Sequence, residues 1–356
     1  MASRVHVLGA GSMGCLLCHE LFSAFPSQIA PTLLLKTSKR LQDYEDQGQK
    51  LTIVRSDGTN VTSSHSTVPA TTSSATLADK NFRIDNLVVA TKLYQTEAAL
   101  TPYIPYLSPS SNILLLQNGM GMPAFLTERF WPGISDRPNI FHAISTHGAY
   151  KTSPNVVHHA SQGKLSISYI PKITEKPDIS VEIPQFIDLI LQTKALDASY
   201  LEYKPFLLAQ MEKLVVNSCI NPLTALLDCY NGDLLYGTKV VPMMKRVILE
   251  SIEVFFAEYK ALEDISEARI FLNPDRLLKS VLSVCKLTAS NSSSMREDVK
   301  HLNKTEIDWI NGYIVALGHK HKIATPTNKM LVNMVKNKLS IDRAVDENAA
   351  SLAIES

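Results

Sequence analysis

The sequence predicts an α/β protein in which a doubly wound parallel sheet is followed by an all-helical domain. Three observations carry that prediction. A glycine-rich turn, Gly9-Ala10-Gly11-Ser12-Met13-Gly14, stands between a short apolar run and a helix-like segment near the start of the chain. Brief apolar runs then alternate with amphipathic stretches through the first half. Beyond about residue 196 the apolar spacing becomes helical.

Each element follows from its residues. Val5-His6-Val7-Leu8 reads as a buried strand, and residues 12–25 as a helix with Met13, Leu16, Leu17 and Leu21 inward. Residues 32–35, 86–90 and 112–116 are further strands, each brief, apolar and flanked by polar residues. Strands buried on both faces and separated by helix-length segments belong to parallel sheets. Residues 56–79 are rich in Ser and Thr and read as an edge hairpin and loop. In the second half, residues 206–225, 235–260, 274–285 and 304–317 carry apolar residues at helical spacing. The segment 235–260 is long and strongly apolar, as expected of a domain's spine. These readings give a first domain over 1–198, a helical domain over 199–339 and a mixed-charge tail over 340–356 that is expected to fray.

The chain has 356 residues, enough for two or three domains, and its 45% hydrophobic and 19% charged content is that of an ordinary globular protein. Lys plus Arg is 35 and Asp plus Glu is 34, so no global charge draws the chain onto nucleic acid or anionic lipid. The sequence contains no run of 18 apolar residues, and it enters a strand pattern almost at once, so neither a spanning helix nor a signal peptide is expected. The expectation is a cytoplasmic protein. Cys15, Cys18, Cys219, Cys229 and Cys285 are odd in number and lack framework spacing, so they read as reduced thiols and not as a zinc or disulfide set. No metal is expected. The N-x-Ser/Thr triplets at Asn60, Asn291 and Asn303 carry no meaning without secretion.

The glycine turn has the form G-x-G-x-x-G after a strand and at the opening of a helix. Gly9 permits the tight turn, Gly11 lets the backbone approach a pyrophosphate, and Gly14 lets the helix pack closely on the strand. The intervening Ala10, Ser12 and Met13 place their amides at the positive end of that helix. This is the dinucleotide turn of a Rossmann-type domain. Proteins that bind NAD usually carry Asp or Glu at the end of the second strand, to bind the ribose 2′-hydroxyl. Here that strand ends Leu35-Lys36-Thr37-Ser38-Lys39-Arg40, with no carboxylate, three cations and two hydroxyls. A carboxylate repels a 2′-phosphate, whereas Lys36, Lys39 and Arg40 would attract one, so the cofactor reads as NADP.

A second informative segment is Lys213-Leu214-Val215-Val216-Asn217-Ser218-Cys219-Ile220-Asn221-Pro222. Lys213, Asn217 and Asn221 recur every fourth residue, so a helix stacks them along one face among apolar neighbours. Such a ladder needs partners or a ligand, because an unpaired buried amide costs about 1–3 kcal/mol. The ammonium needs a compensating charge. Pro222 removes a backbone donor and frees the carbonyl of Ser218, so a kink near Asn221 is expected. On a helix over 304–317, Glu306 falls with Trp309, Ile310 and Tyr313 on a semi-buried face, while Asp308 points away. Glu306 is therefore the candidate for the compensating carboxylate.

Taken together, these residues resemble the ketopantoate reductase family, of the fungal sort, across nearly the whole chain. The glycine turn matches the family's first motif, Lys92-Leu93-Tyr94-Gln95 its K-x-x-Q, and Gln117-Asn118-Gly119-Met120-Gly121 its N-G-x-G turn. Ser145-Thr146-His147-Gly148-Ala149 resembles a threonine-rich strand of the family. The ladder with Pro222-Leu223-Thr224-Ala225, then Asn231-Gly232, Ser293-Ser294-Met295 and Thr305-Glu306-Ile307-Asp308, completes the set in order. The resemblance implies NADPH-dependent reduction of a 2-oxo acid to a 2-hydroxy acid in pantothenate synthesis. It implies Lys213 as the proton donor and Glu306 as the group that orients the substrate hydroxyl and holds the proton in line. Asn217, Asn221 and Ser294 would bind the substrate's carboxylate and hydroxyl groups, supported by Asn231. Lys92 and Asn118 would lie at the nicotinamide ribose and near the reacting carbonyl, and Gln95 in the cofactor shell.

Two positions depart from the family. Asn303 and Lys304 stand where an Arg usually precedes the T-E-I-D, and Lys36 stands where many members show Arg. Two other readings stay open: an NADP-dependent reductase of a different 2-oxo acid, and a non-catalytic NADP-binding regulator. The apolar second-half helices are compatible with a homodimer or with packing on the first domain.

Overall fold

The computed structural model describes residues 2–56, 60–77, 82–172, 179 and 181–355, without the side chains of 134 and 350–355. The chain divides into two units, Met1–Asn118 with Met122–Phe206, and Gly119–Gly121 with Leu207–Ser356. The division falls a few residues beyond the 198 expected from sequence, because a short strand at Ala198–Tyr200 still pairs with the first unit's sheet. The mixed-charge residues at the C-terminal end continue a helix to Glu355.

The first unit opens with β1 (Ser3–Leu8), α1 (Ser12–Ala24), β2 (Ile29–Leu35) and α2 (Ser38–Asp46). It continues with β3 (Lys50–Ser56), β4 (Val61–Thr67), β5 (Ala70–Thr72), α3 (Ser73–Leu77), β6 (Asn86–Val89) and α4 (Leu93–Leu100). β7 (Asn112–Leu116), α5 (Met122–Phe130), β8 (Asn139–Ser145), β9 (Gly148–Ser153), β10 (Val156–Ser161), β11 (Leu165–Tyr169), α6 (Gln185–Gln192) and β12 (Ala198–Tyr200) complete it. Eight strands form the main sheet in the order β12-β11-β8-β7-β6-β1-β2-β5. All neighbours are parallel except β8 and β11, which run antiparallel. The doubly wound sheet expected from sequence is present, with this one reversal. Its central strands are buried, with Val5, Val7, Leu87, Val88, Ile113 and Leu114 all at 0% exposure, as strands covered on both faces require.

The strand order reverses between β1 and β6, and ligands of open α/β sheets bind at such a switch point, beyond the carboxyl ends of the strands. At the opposite ends, Asn86, Asn112 and Asn139 stand in register and bond side chain to side chain. Asn112 Nδ2 donates to Asn86 Oδ1 and Asn139 Nδ2 to Asn112 Oδ1, each at 3.1 Å. This ladder pins β6, β7 and β8 in a common register, because a one-residue slip would break every rung.

The Ser/Thr-rich stretch forms part of a second, four-stranded sheet in the order β4-β3-β10-β9. β3 and β4 pair as an antiparallel hairpin, from Lys50 opposite Thr67 to Ser56 opposite Val61, so the hairpin begins before the stretch in which it is expected. The stretch supplies only β4, and its β5 joins the main sheet beside β2. The stretch's 57–59 and 78–79 lie outside the described residues. β3 also pairs in parallel with β10, so this sheet draws on two distant parts of the chain.

The second unit is helical. After α7 (Tyr203–Leu227) come α8 (Val240–Glu258), α9 (Ala268–Phe271), α10 (Pro274–Leu287), α11 (Ser294–Lys300), α12 (Asn311–His321) and α13 (Pro326–Glu355). α8 buries Val240, Met244, Val247, Ile248, Val254 and Phe255, and packs against α10, α12 and α13. It is the spine that its apolar content predicts. The helix expected over 304–317 is instead a loop, a 3₁₀ turn over Ile307–Trp309, and α12. The break is at Ile310, whose φ of −110° and ψ of −94° lie outside the helical region.

Candidate active site

In the first unit the glycine turn follows β1 directly. Gly9 has a φ of +110°, and a Cβ there would lie 2.6 Å from the carbonyl carbon of Ala90, just past β6. A Cβ on Gly14 would lie 2.1 Å from the Gly9 carbonyl oxygen. Both positions therefore need glycine for closeness of backbone to backbone. Gly11 differs: a Cβ there would meet only the Ala90 carbonyl oxygen, at 3.7 Å. Space beside Gly11 is left open. Gly11 is also the N-cap of α1 and has no side chain to place against the first-turn amides of Ser12, Met13 and Gly14. An open cradle over a helix N-terminus fits the diphosphate of a dinucleotide.

Lys36, at the end of β2, and Lys39, in the first turn of α2, are exposed. Thr37 caps that helix by accepting from the Arg40 amide at 3.1 Å. The Arg40 guanidinium reaches the turn between β9 and β10, where it donates to the Pro154 carbonyl at 3.1 Å and to Asn155 Oδ1, and it lies over the Tyr44 ring. Lys151, on β9, lies outside every motif of the sequence. Its ammonium donates to the Ala10 carbonyl inside the glycine turn at 2.7 Å. Burial lowers its pKa.

Lys92 is the N-cap of α4, and Gln95 lies exposed in that helix's first turn. Asn118 follows β7 and is half-buried. Gln117, buried beside it, ties these two loops together. Its Nε2 donates to the Thr91 carbonyl and to Thr96 Oγ1, both at 2.7 Å. Lys92 and Asn118 are thus held at the carboxyl ends of adjacent parallel strands, β6 and β7.

In the second unit α7 carries Lys213, Asn217 and Asn221 along one face, with Asn221 buried and the other two half-buried. Desolvation lowers the Lys213 pKa to about 8, against the opposing pull of the Glu306 carboxylate, which favours the ammonium. Glu306 is 6% exposed, whereas Asp308 is exposed and pairs with Lys336 at 2.5 Å. The sequence contrast between these two acids holds, although a 3₁₀ turn and not a helix sets it. α7 runs unbroken through Pro222. The Ser218 carbonyl that proline frees accepts from Asn311 Nδ2 at 3.0 Å.

Asn231 is buried and opens a 3₁₀ turn, Asn231–Tyr236. Its amide donates to the Asn291 carbonyl and its Nδ2 to Thr288 Oγ1, at 3.1 and 2.9 Å. Its Oδ1 is buried without a hydrogen-bond partner among the described residues. Ser294 is exposed at the start of α11. The neighbouring Ser293 is buried, caps that helix by accepting from the Arg296 amide, and lies 2.7 Å from the Thr224 hydroxyl on α7. Ser293 is therefore the serine that joins α11 to the ladder helix.

All five cysteines are free, and Cys15, Cys18, Cys219 and Cys285 are buried. Among the described residues no cluster of three or more His, Cys, Asp or Glu could hold a metal, and no helix is long and apolar enough to cross a membrane.

Sequence models of the family described as ketopantoate reductase PanE/ApbA match residues 5–172, and its C-terminal part matches 206–339. A probable 2-dehydropantoate 2-reductase of Schizosaccharomyces pombe is 37% identical over 347 residues, covering 96% of this chain and 98% of that one. The 2-dehydropantoate 2-reductase of Saccharomyces cerevisiae is 29% identical over 371 residues, covering 96% of each. Among solved structures, D-mandelate dehydrogenase with NADH and anilino(oxo)acetate shares the fold, with a TM-score of 0.76 at 21% identity over 95% of this chain and 99% of that one. The chain belongs to the ketopantoate reductase family.

Proposed function

We propose that this protein is an NADP-dependent oxidoreductase that reduces 2-dehydropantoate to pantoate, a step in pantothenate synthesis, with Lys213 as the general acid. The observation that carries the reading is the Lys213 ammonium, on the same helix face as Asn217 and Asn221, brought by burial to a pKa of about 8 against the electrostatic pull of the Glu306 carboxylate. An ordinary lysine, near 10.4, is a poor proton donor at neutral pH; one near 8 is still charged and gives up its proton far more readily.

When bound, NADPH supplies the hydride to the ketone carbon. The glycine turn, with Ala10, Ser12 and Met13 in it, would hold the diphosphate, and Lys36, Lys39 and Arg40 would supply positive charge for the 2′-phosphate. Lys92, Gln95 and Asn118 would line the nicotinamide end. Lys213 Nζ stabilises the charge growing on the carbonyl oxygen and delivers a proton to it, giving the 2-hydroxy acid. Glu306 favours the ammonium before transfer and helps the neutral amine regain a proton from solvent. Asn217, Asn221 and the exposed Ser294 would bind the substrate's carboxylate and hydroxyl groups, with the buried Asn231 supporting them.

One observation favours a second reading, a different 2-oxo acid as substrate: Asn303 and Lys304 replace the arginine usual before the T-E-I-D, and both are exposed. The assay that decides is oxidation of NADPH followed spectrophotometrically with 2-dehydropantoate and with a panel of other 2-oxo acids. Turnover with 2-dehydropantoate above the rest supports the proposal. Background rates with it, alongside turnover of another acid, assign the substrate elsewhere.

Two coarser expectations complete the proposal. Five free thiols support a reducing, cytoplasmic setting. The exposed Met330, Met334 and Ile341 on α13 support a homodimer, which light scattering on the purified protein tests.

A further inference from the structure

The three cations at the end of β2 do not account for the charge around the glycine turn. Lys36 and Lys39 are exposed, while Arg40 is already bonded to the β9–β10 turn. The second sheet brings a fourth cation. Lys151 on β9 extends to the turn itself, 141 residues away in sequence, and its ammonium lies 2.7 Å from the Ala10 carbonyl. It is within electrostatic range of the Arg40 guanidinium, and both cations act on the Cys15 thiol in the first turn of α1. Two half-buried like charges, one on the glycine turn and one on the β9–β10 turn, therefore lie within electrostatic range of each other.

Keeping two cations together away from bulk water is unfavourable unless an anion joins them. A dinucleotide fold presents the adenosine ribose between the first glycine turn and the end of the second strand. An acid at that place would bind a 2′-hydroxyl, whereas cations suit a 2′-phosphate. Within the NADP reading given above, we propose that Lys151 is a cofactor-selectivity residue that binds the 2′-phosphate of NADPH together with Arg40. The Ala10 carbonyl is a neutral acceptor, which a phosphate dianion would outcompete for the ammonium. Because Lys151 lies on β9, outside the strands that make the dinucleotide fold, no local motif marks it.

The test is binding, measured on the full chain by titrating NADPH, NADH, 2′,5′-ADP and 5′-AMP against the wild type, Lys151→Gln and Lys151→Arg. The wild type is expected to prefer the 2′-phosphorylated member of each pair. Lys151→Gln is expected to lose about 10- to 100-fold in affinity for NADPH and 2′,5′-ADP, the cost of one charged hydrogen bond. Its affinity for NADH and 5′-AMP is expected to stay within about twofold, and Lys151→Arg to keep the preference. Equal losses for both members of a pair would overturn the proposal, giving Lys151 a diphosphate-binding or structural role; unchanged affinities would overturn it as well. A wild type without preference would instead overturn the NADP reading on which the proposal rests. If Lys151→Gln does not fold, amidination of wild-type Lys151 read by mass spectrometry serves: protection by 2′,5′-ADP and not by 5′-AMP is expected, and equal protection overturns the assignment.

Discussion

Asn311 Nδ2 donates to the Ser218 carbonyl at 3.0 Å, the acceptor that Pro222 leaves without its helical donor. The same amide group also reaches Asn328 Oδ1 at 3.0 Å, and Asn328 Nδ2 in turn reaches the Glu250 carboxylate at 2.8 Å. That carboxylate accepts from the amides of Thr327 and Asn328 and so caps α13. A proline placed between the ladder residues and the rest of α7 is thus made tolerable by a buried network from three other helices. Ser218 lies between Asn217 and Asn221, so the network also fixes the backbone from which those amides project.

Asn311→Leu should therefore leave two buried acceptors without donors, Ser218 O and Asn328 Oδ1. At about 1–3 kcal/mol for each orphaned group, and roughly 2–4 °C per kcal/mol for a unit of this size, thermal unfolding should begin several degrees lower. NADPH affinity, which the proposal above assigns to residues of the first unit, should stay as in the wild type. An unchanged melting temperature would show that water takes over the Ser218 carbonyl.

Lys213→Ala is expected to leave NADPH affinity nearly unchanged and to lower turnover by about 10²- to 10⁴-fold, the range for loss of a positioned general acid. Fluorescence titration with NADPH and steady-state rates with the 2-oxo acid measure the two quantities separately. Wild-type turnover in this variant would mean that another group delivers the proton.

The pH dependence follows from the direction of the Lys213 shift. Reduction consumes the ammonium form, which is present below the folded pKa of about 8 and is lost above it. The kcat/KM for reduction should be level at neutral pH and fall about tenfold per unit above pH 8. The reverse oxidation, which needs the neutral amine, should rise over the same range. Glu306 raises the Lys213 pKa, so Glu306→Gln should move the falling limb to lower pH. A limb that stays in place would separate Glu306 from the titrating group.

What was legible in the sequence was what is decided locally. Gly9 and Gly14 are fixed by the close backbone approaches of one turn and Gly11 by the open space it leaves, and the runs at Asn86–Val89 and Asn112–Leu116 are apolar because both their faces are covered. The ladder on α7 was legible because helical spacing alone puts every fourth residue on one face. Much of 139–200 was not. β9 and β10 mix Lys151, Thr152, His158 and His159 with small residues, and β10 pairs with β3 about a hundred residues earlier, a contact that no local pattern records. Glu306 illustrates a partial success: apolar spacing gave the right burial contrast with Asp308, while the break at Ile310 changed the element that produces it. Ser293 and Ser294 are adjacent, and only the capping geometry of α11 decides which of them is buried.

The last prediction separates glycine as a packing necessity from glycine as a ligand necessity. At Gly14 a methyl group would lie 2.1 Å from the Gly9 carbonyl oxygen, a backbone atom that can move only if the turn opens. Gly14→Ala should therefore lower thermal stability even without cofactor. At Gly11 the same methyl meets one atom, at an ordinary van der Waals distance of 3.7 Å, so Gly11→Ala should fold and melt like the wild type. That methyl instead occupies space through which the diphosphate must come to reach the α1 amides, so NADPH affinity should fall at least about tenfold, as expected when charged hydrogen bonds to a helix N-terminus are lengthened. Melting curves with and without NADPH distinguish the two effects. Wild-type stabilisation of Gly11→Ala by NADPH would remove the diphosphate from this cradle.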